Sequence, residues 1–562
     1  MLSRGVSGRL VSRNYTTEST LSRMIRLVGL YSPSCNCTST TSNCNSGKAL
    51  PSRVLDLQHD MGGSLVRVVE NHDRCGHFAA LSHCWGDTRF VTTAQNLPDR
   101  LEGIQISAMP QTFQDAILVT RRLGLRYLWI DSLCILQADP AGSEAGNQAA
   151  KMDFETESSM MNEYYGKSYI TIAADCSPSD SDGFLGCKRA KKGKTYYEGE
   201  AEEFQCEVDG IISNLYLHRH LVPEILVGQE KGDPVATECL QTRAWTLQER
   251  LLPNRVLHFG SEQCYLEDHM RGYIQFEDGS MSNYSRSWQT LYKEGFKSPL
   301  EEWYAAIEQF KSRKITNPSD TFPALSGLAQ RIAKLSGDQY CAGLWNTDLA
   351  RGILWETEKT DYVPGLLLVR GDPTPSCTAP SWSWASAPGS VRFIASGALD
   401  NWSKVVICAT FEECQTVPST SDPFGELRNG YINLTAPTLA VQNTAWIHPY
   451  RSLRLSIRGY PASVHALLDH YYRPLNLYDV QAIPKPLYCA FILCSPEYGI
   501  DFDSGVILEE VSYENDRCVY RRVGVFKVER DREHRPRPGF SGLELEKRLG
   551  LLNAYQKAIQ II

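Results

Sequence analysis

RYLWIDSLCI, Arg126 to Ile135, is apolar after its opening arginine except at Asp131 and Ser132. A short apolar run without a helical stripe reads as a buried strand. Upstream, FAALSHCW (Phe78 to Trp85) has the same character and ends at Gly86 and Asp87, a turn; downstream, YITIAA (Tyr169 to Ala174) repeats it. Between the first and second runs Pro110 can open a helix, with Phe113, Ala116, Ile117, Thr120 and Leu123 on one side until Gly124 stops it. Between the second and third, Phe154, Ser158, Met161 and Tyr165 form another helical stripe. Strand, helix, strand, helix, strand at this spacing predicts a parallel sheet with right-handed crossovers. Ligands of such sheets lie outside the carboxyl ends of the strands. That rule selects Ser82 to Asp87, Asp131 to Cys134, and Asp175.

The 562-residue chain is too long for one core and predicts two or three domains. A net charge of -8 argues against nucleic acid or an anionic membrane surface as partner. No window approaches the roughly 18 uncharged apolar residues of a spanning helix, so no membrane span is expected. The eighteen cysteines are scattered through a long chain and read as reduced thiols. Cys35, Cys37 and Cys44, with His59 downstream, lack the second ligand pair of a zinc site, and no metal is assigned. The first thirty residues carry five arginines against one acid, Glu18, among many serines. They read as a disordered leader, with a mitochondrial presequence as the alternative that the composition also fits.

Further along, residues 176–235 read as an irregular insertion with loops and short strands, and VLHFGSEQCYLE as a strand pair. A helical stretch follows between 300 and 358. PSWSWAS, GYINLTAPTLAV, LYCAFILC and CVYRRVGVFKVE then alternate as short strands of an antiparallel β unit.

The phosphate-loop, dinucleotide-fold, zincin and nucleophile-elbow motifs are all absent. His83 and Cys84 are adjacent on a strand, so their side chains diverge and cannot form a nucleophile–base pair with each other. Asp131 sits among apolar residues, where an unpaired charge is costly. In RAWTLQER (Arg243 to Arg250), Glu249 lies four residues after Trp245, at the edge of the apolar arc of one helix. Glu249 can equally be an ion-pair partner of Arg243, Arg250 or Arg255, and Asp131 a cap for backbone N–H groups.

These blocks resemble those of the fungal heterokaryon-incompatibility (HET) domain proteins: LSHCWGD (Leu81 to Asp87), YLWIDSLCILQ (Tyr127 to Gln137), ESSMMNEYY (Glu157 to Tyr165) and RAWTLQER. PSRVLDL and PQTFQDAILVTRRLG before and among them, and SDTFPALSGLA, AGLWNTDL, APSWSWAS, DPFGEL and YRRVGVF after them, extend the resemblance. The family's Q-D-D-x-x-D-W segment is replaced here by the longer QADPAGSEAGNQAAKMDF, with Phe154 in place of tryptophan. The resemblance implies fungal non-self recognition and programmed cell death signalling in the cytoplasm, with a sensor or incompatibility protein as partner and self-association. It also implies a HET domain over 51–270 with its core at 78–252, a mainly helical connection over 271–375, and a β-rich region over 376–562; the leader over 1–50, read from composition, has no counterpart in the family.

The HET blocks themselves remotely resemble TIR domains, which carry a W-C-x-x-E block whose glutamate serves NAD cleavage in enzymatic members. Trp245 and Glu249 keep that spacing, with Thr246 in place of the cysteine. The resemblance therefore implies an α/β fold with a TIR- or flavodoxin-like core. It also implies Glu249 as the catalytic carboxylate, facing the oxocarbenium-like charge that develops on the ribose. Ser82, Trp85, Gly86, Asp131 and Trp245 are the residues expected to line the ligand cleft. No cofactor is called for, and NAD enters only as a substrate. The competing reading is a non-enzymatic module that uses the same fold for assembly.

Overall fold

The computed structural model describes Val28 and, short breaks aside, residues 49–185, 202–217, 238–283, 299–357, 379–393, 405–448, 452–469, 486–494, 503–528 and 550–562. Most of the leader, Cys35, Cys37, Cys44, His59, Asp87 and most of the expected insertion lie outside the described residues. Two compact units divide the chain, Met1–Phe296 and Lys297–Ile562.

The first unit is built on a ten-stranded sheet. Its strands are β1 (Arg53–Asp56), β2 (Leu65–Glu70), β3 (Phe78–Ser82), β4 (Ile104–Gln105), β5 (Tyr127–Trp129) and β6 (Ile170–Ala173). After a separate hairpin of β7 (Glu202–Val208) and β8 (Ile211–Leu217) come β9 (Arg255–Phe259), β10 (Cys264–Asp268), β11 (Tyr273–Phe276) and β12 (Met281–Asn283). At the centre, β5, β3, β6 and β9 run parallel in that spatial order, with Ala80 opposite both Trp129 and Thr171, and Thr171 opposite Val256. All five residues of β3 and all four of β6 are buried, as expected of parallel strands covered on both faces. Antiparallel strands extend this parallel core on both sides, β1 and β2 beyond β5 and β10 to β12 beyond β9.

Strand alternation assigns the two faces. Ala79, Leu81, Leu128, Ile130 and Ile172 share one core with Phe113, Ala116 and Ile117 of helix α1 (Gln111–Arg122). Trp129 points the other way, its ring 5.5 Å from Tyr164 and 5.4 Å from Tyr165. Both tyrosines belong to the long helix that links β5 to β6 (Glu144–Lys167), whose Ser143 cap accepts the Gly146 N–H. That helix buries Ala150, Glu157, Met161, Tyr164 and Tyr165. Its stripe is therefore rotated from the expected one, and Phe154 and Ser158 are only half-buried.

Two further expectations are corrected. FAALSHCW is a strand only to Ser82, and RYLWIDSLCI only from Tyr127 to Trp129. Asp131 to Cys134 is instead a one-turn helix, closed by the Cys134 N–H on Ile130 O and the Ile135 N–H on Asp131 O. A short buried run of this kind has no periodicity that separates a strand from a turn of helix.

The second unit holds helices Pro299–Lys311 and Pro323–Ser336 and a C-terminal, mainly antiparallel sheet. Its longest strand, Leu427–His448, is bent by register shifts near Val441 and Trp446. One pair departs from the antiparallel pattern: Gln556–Ile561 runs parallel to Arg517–Lys527. PSWSWAS is a turn with a 3-10 segment at Trp384–Ser386 instead of a strand. Both tryptophans are fully buried, the Trp384 indole donating to Gly343 O at 3.0 Å and the Trp382 carbonyl accepting the Trp355 indole at 2.9 Å. Cys408 and Cys494 are joined with their Cα atoms 6.4 Å apart, a correction to the all-thiol expectation; ten other described cysteines are free.

Ala342, beside that Trp384 contact, has φ +46°, the one non-glycine with positive φ among the described residues. Its carbonyl is held by the Ser383 hydroxyl at 2.6 Å. Left-handed backbone costs an alanine roughly 1 kcal/mol that glycine does not incur, while glycine loses more chain entropy on folding. Ala342→Gly is expected to raise the thermal midpoint slightly, by about 0.5 kcal/mol of stability. A lower midpoint would show that the strain at this turn is absent. Among the described residues no helix is long and apolar enough to cross a membrane.

Candidate functional site

In a sheet whose chain visits β3, then β5 on one side, then β6 on the other, the connections diverge around β3. Ligand crevices open at such switch points. Ser82 is the last residue of β3 and alternates onto the face of Tyr165, away from Leu81. Over the ends of β3 and β6 lies the short helix Thr246–Leu251, here called α4 among the helices of the first unit, with Asp131–Cys134 as α2 and Glu144–Lys167 as α3. All six α4 residues are buried.

Glu249 of α4 points inward, 5 % exposed, and its Oε2 accepts the Ser82 hydroxyl. The Tyr165 hydroxyl lies 3.3 Å from Leu81 O and also within hydrogen-bond reach of Glu249. Burial, then the negative charge of Asp131, pushes the Glu249 carboxyl up to about 7, against the opposing pull of Ser82, Arg243 and Tyr165. The same surroundings raise the Tyr165 hydroxyl well above its ordinary value, through burial first and then Glu249 and Asp131.

Asp131 is the more open member of the pair, with 16 % of its side chain exposed. Its Oδ1 accepts the Ser132 N–H at 2.7 Å and its Oδ2 the Trp85 indole N–H at 3.0 Å. Burial raises its carboxyl, while Ser132, Arg243 and Trp85 pull it down. Arg243 is the cation common to both carboxylates, and it also donates to His83 O at 3.2 Å. The capping of a neighbouring N–H weighed for Asp131 is thus present alongside its contact with Trp85.

His83 and Cys84 do diverge. His83 turns to the α1 face, its ring 5.1 Å from Phe113 and Nδ1 3.8 Å from Asp131 Oδ1, and burial with the Arg243 charge lowers it to about 3, so the imidazole is neutral. Cys84 turns to the other face, where burial pushes its thiol up to about 11, a poor nucleophile.

The structure thus brings Ser82, Asp131 and Glu249 together, with Trp85 on Asp131. Gly86 is exposed at φ +69°, and a Cβ there would strike Ser179. Trp245 stands half-buried just before α4, edge-on to Phe154 with ring centroids 6.4 Å apart. The aromatic that replaces the family's tryptophan is therefore packed on the aromatic of the glutamate block. Of the arginines weighed as Glu249 partners, Arg250 grips Glu267 through two 2.9 Å bonds and Arg255 stacks 4.4 Å over Tyr169. Asp175, selected by the strand-end rule, joins a different cluster: its Oδ2 lies 2.7 Å from His258 Nδ1.

Tyr165 and Arg243 were legible as members of sequence blocks but not as members of the site. The alternation of Ser82 against Leu81 at the end of β3 gives the face on which Tyr165 lies. No curated protein and no solved structure shows a significant match to the chain. Residues 78–249, which span β3, β5, β6 and the Glu249 helix, match the family model described as heterokaryon incompatibility protein (HET), so the chain carries a HET domain, which supports a heterokaryon-incompatibility-type role.

Proposed function

We propose that the HET domain hydrolyses the nicotinamide–ribose bond of NAD or a related nucleotide, and that this cleavage drives cell death in fungal non-self recognition. The observation that carries the reading is the pair Glu249 and Asp131, two carboxyl groups raised by burial, Glu249 also by the charge of Asp131, at the mouth of a parallel-sheet switch point. As the bond to nicotinamide breaks, its electron pair leaves with the ring, neutralising the pyridinium, and C1′ of the ribose becomes cationic. Glu249 as carboxylate stabilises that charge, and a water attacks C1′ and releases one proton. Asp131, the more exposed carboxyl, is the acceptor for that proton, and Trp85, Gly86 and Trp245 flank the substrate.

A second reading is favoured by one observation: Glu249 is only 5 % exposed and already hydrogen-bonded to Ser82. In that reading the domain is a non-enzymatic module that assembles with itself or a sensor protein. The test is nicotinamide release from NAD by purified, self-assembled protein and by Glu249→Gln, beside the death response each gives in cells. Release by wild type, with release and death both lost in a folded Gln variant, is the expected result. No release by assembled wild type, with death retained in the variant, leaves the assembly module.

A further inference from the structure

Beneath α4 lies a buried chain of charged groups that the proposed chemistry does not use. Arg250, adjacent to Glu249, donates Nε to Glu267 Oε2 and Nη2 to Glu267 Oε1, both at 2.9 Å. Glu267 on β10 has Oε2 2.7 Å from His258 Nε2, and His258 on β9 has Nδ1 2.7 Å from Asp175 Oδ2. Asp175 Oδ1 in turn accepts the Gln241 amide at 2.9 Å. All five side chains belong to buried residues. An imidazole with a carboxylate oxygen at each nitrogen donates from both, and is therefore a cation.

We propose that His258 is a positioning residue for the Arg243–Glu249 block. Held as an imidazolium between Asp175 and Glu267, it ties Gln241 on one side of the block and Arg250 on the other to β9, β10 and the end of β6. The helix that carries Glu249 has only six residues, too short to hold itself. Its two flanks are fixed to one charged chain, so Arg243 and Glu249 are delivered together to Ser82. The catalytic consequence rests on the nucleotide-hydrolase reading; the clamp itself does not.

Burial alone would lower His258, but Asp175 and Glu267 outweigh it and raise the ring to about 9. The groups that face it are Asp175 after β6, Glu267 and the Tyr265 ring (centroids 5.2 Å apart) on β10, and, through Glu267, Arg250 of α4 and His269 at 3.6 Å. A cation whose folded value is raised from 6.5 contributes stability that is complete below pH 6.5 and is lost as pH rises through about 9. Glu249 has finished titrating by then, its transition lying near 7.

The test is hydrogen exchange of the full chain, corrected for intrinsic rates, with His258→Gln, Arg250→Lys and wild type compared from pH 7 to 10. In wild type the amides of 240–252 should lose protection about tenfold between pH 8 and 10 while those of Gln111–Arg122 hold theirs. His258→Gln should show that loss already at pH 7 and no further alkaline change, with Arg250→Lys, which keeps the charge but not the two-point grip, in between. Equal protection of 240–252 in wild type and His258→Gln at pH 7, or a wild-type alkaline loss spread evenly over all segments, overturns the clamp. The wild-type arm decides the matter even if His258→Gln fails to fold. Nicotinamide release, followed in parallel, should fall in step with protection above pH 9; no release by wild type at any pH removes the hydrolase reading and leaves the exchange result to judge the clamp alone.

Discussion

Glu249→Gln is expected to lower nicotinamide release by about 100-fold or more and, at pH 8, to make the first unit more stable. The second half follows from linkage. A carboxyl raised from 4.5 to about 7 is held by the folded protein in its protonated form, so ionising it opposes folding. The cost begins as pH rises above 4.5, grows to about pH 7, and is constant beyond. With each pH unit of displacement equivalent to about 1.4 kcal/mol, its full size is on the order of 3 kcal/mol for this buried group. Glutamine keeps an oxygen that accepts the Ser82 hydroxyl and removes the charge that opposes Asp131. Urea unfolding at pH 8 and at pH 5 should therefore show a gain in the variant that shrinks at the lower pH. A structural ion-pair role predicts the reverse, a loss of stability at pH 8. Turnover lost while stability rises is the signature of a group retained for chemistry at the expense of the fold.

How much of this was readable beforehand depended on the distance over which each feature is determined. The parallel core was legible because β3 and β6 are buried on both faces and so appear as unbroken apolar runs between helical stripes. The edges were not: Arg53–Asp56 and Leu65–Glu70 are short, carry charge, and become strands only by pairing with β5 and with each other. Asp131 reads from the sequence as a charge on a strand, because nothing local announces the turn that Ile130 and Cys134 close. PSWSWAS alternates like a strand and is a turn, since its Trp384 indole is fixed by Gly343 and its Trp382 carbonyl by Trp355. At the site, the strand-end rule found Ser82, Asp131 and Asp175 but could not say that the first two share a cluster and the third does not. Ser82 meets Glu249 across 167 residues and Asp175 meets His258 across 83, and only the folded sheet sets those pairings.

Within the second unit, Asp469→Ala is expected to cost about 3–5 kcal/mol, more than removing both partners of the same ion pair. Arg522 lies on the strand Arg517–Lys527 and Asp469 directly after Val464–Leu468, its antiparallel neighbour, with the Asp469 N–H on Val523 O. Arg522 is fully buried; its Nη1 donates to Asp469 at 2.5 Å, its Nη2 to Trp355 O at 2.5 Å, and its guanidinium lies 3.4 Å over the Trp355 ring. Burial lowers its pKa to about 10 despite Asp469, which still leaves it charged at neutral pH. Alanine at 469 therefore strands a cation that, among the described residues, keeps the Trp355 indole and its carbonyl as partners. Arg522→Met with Asp469→Leu removes both charges and fills similar volume, so the double variant should lose less than the single one even though it changes two buried residues. Amide exchange of Arg517–Lys527 in the full chain reads both losses directly. Equal losses in the single and double variants would mean that the cost comes from packing around Trp355 instead of from an uncompensated charge, and that the YRRVGVF stretch holds its arginine for shape rather than for the pair it makes.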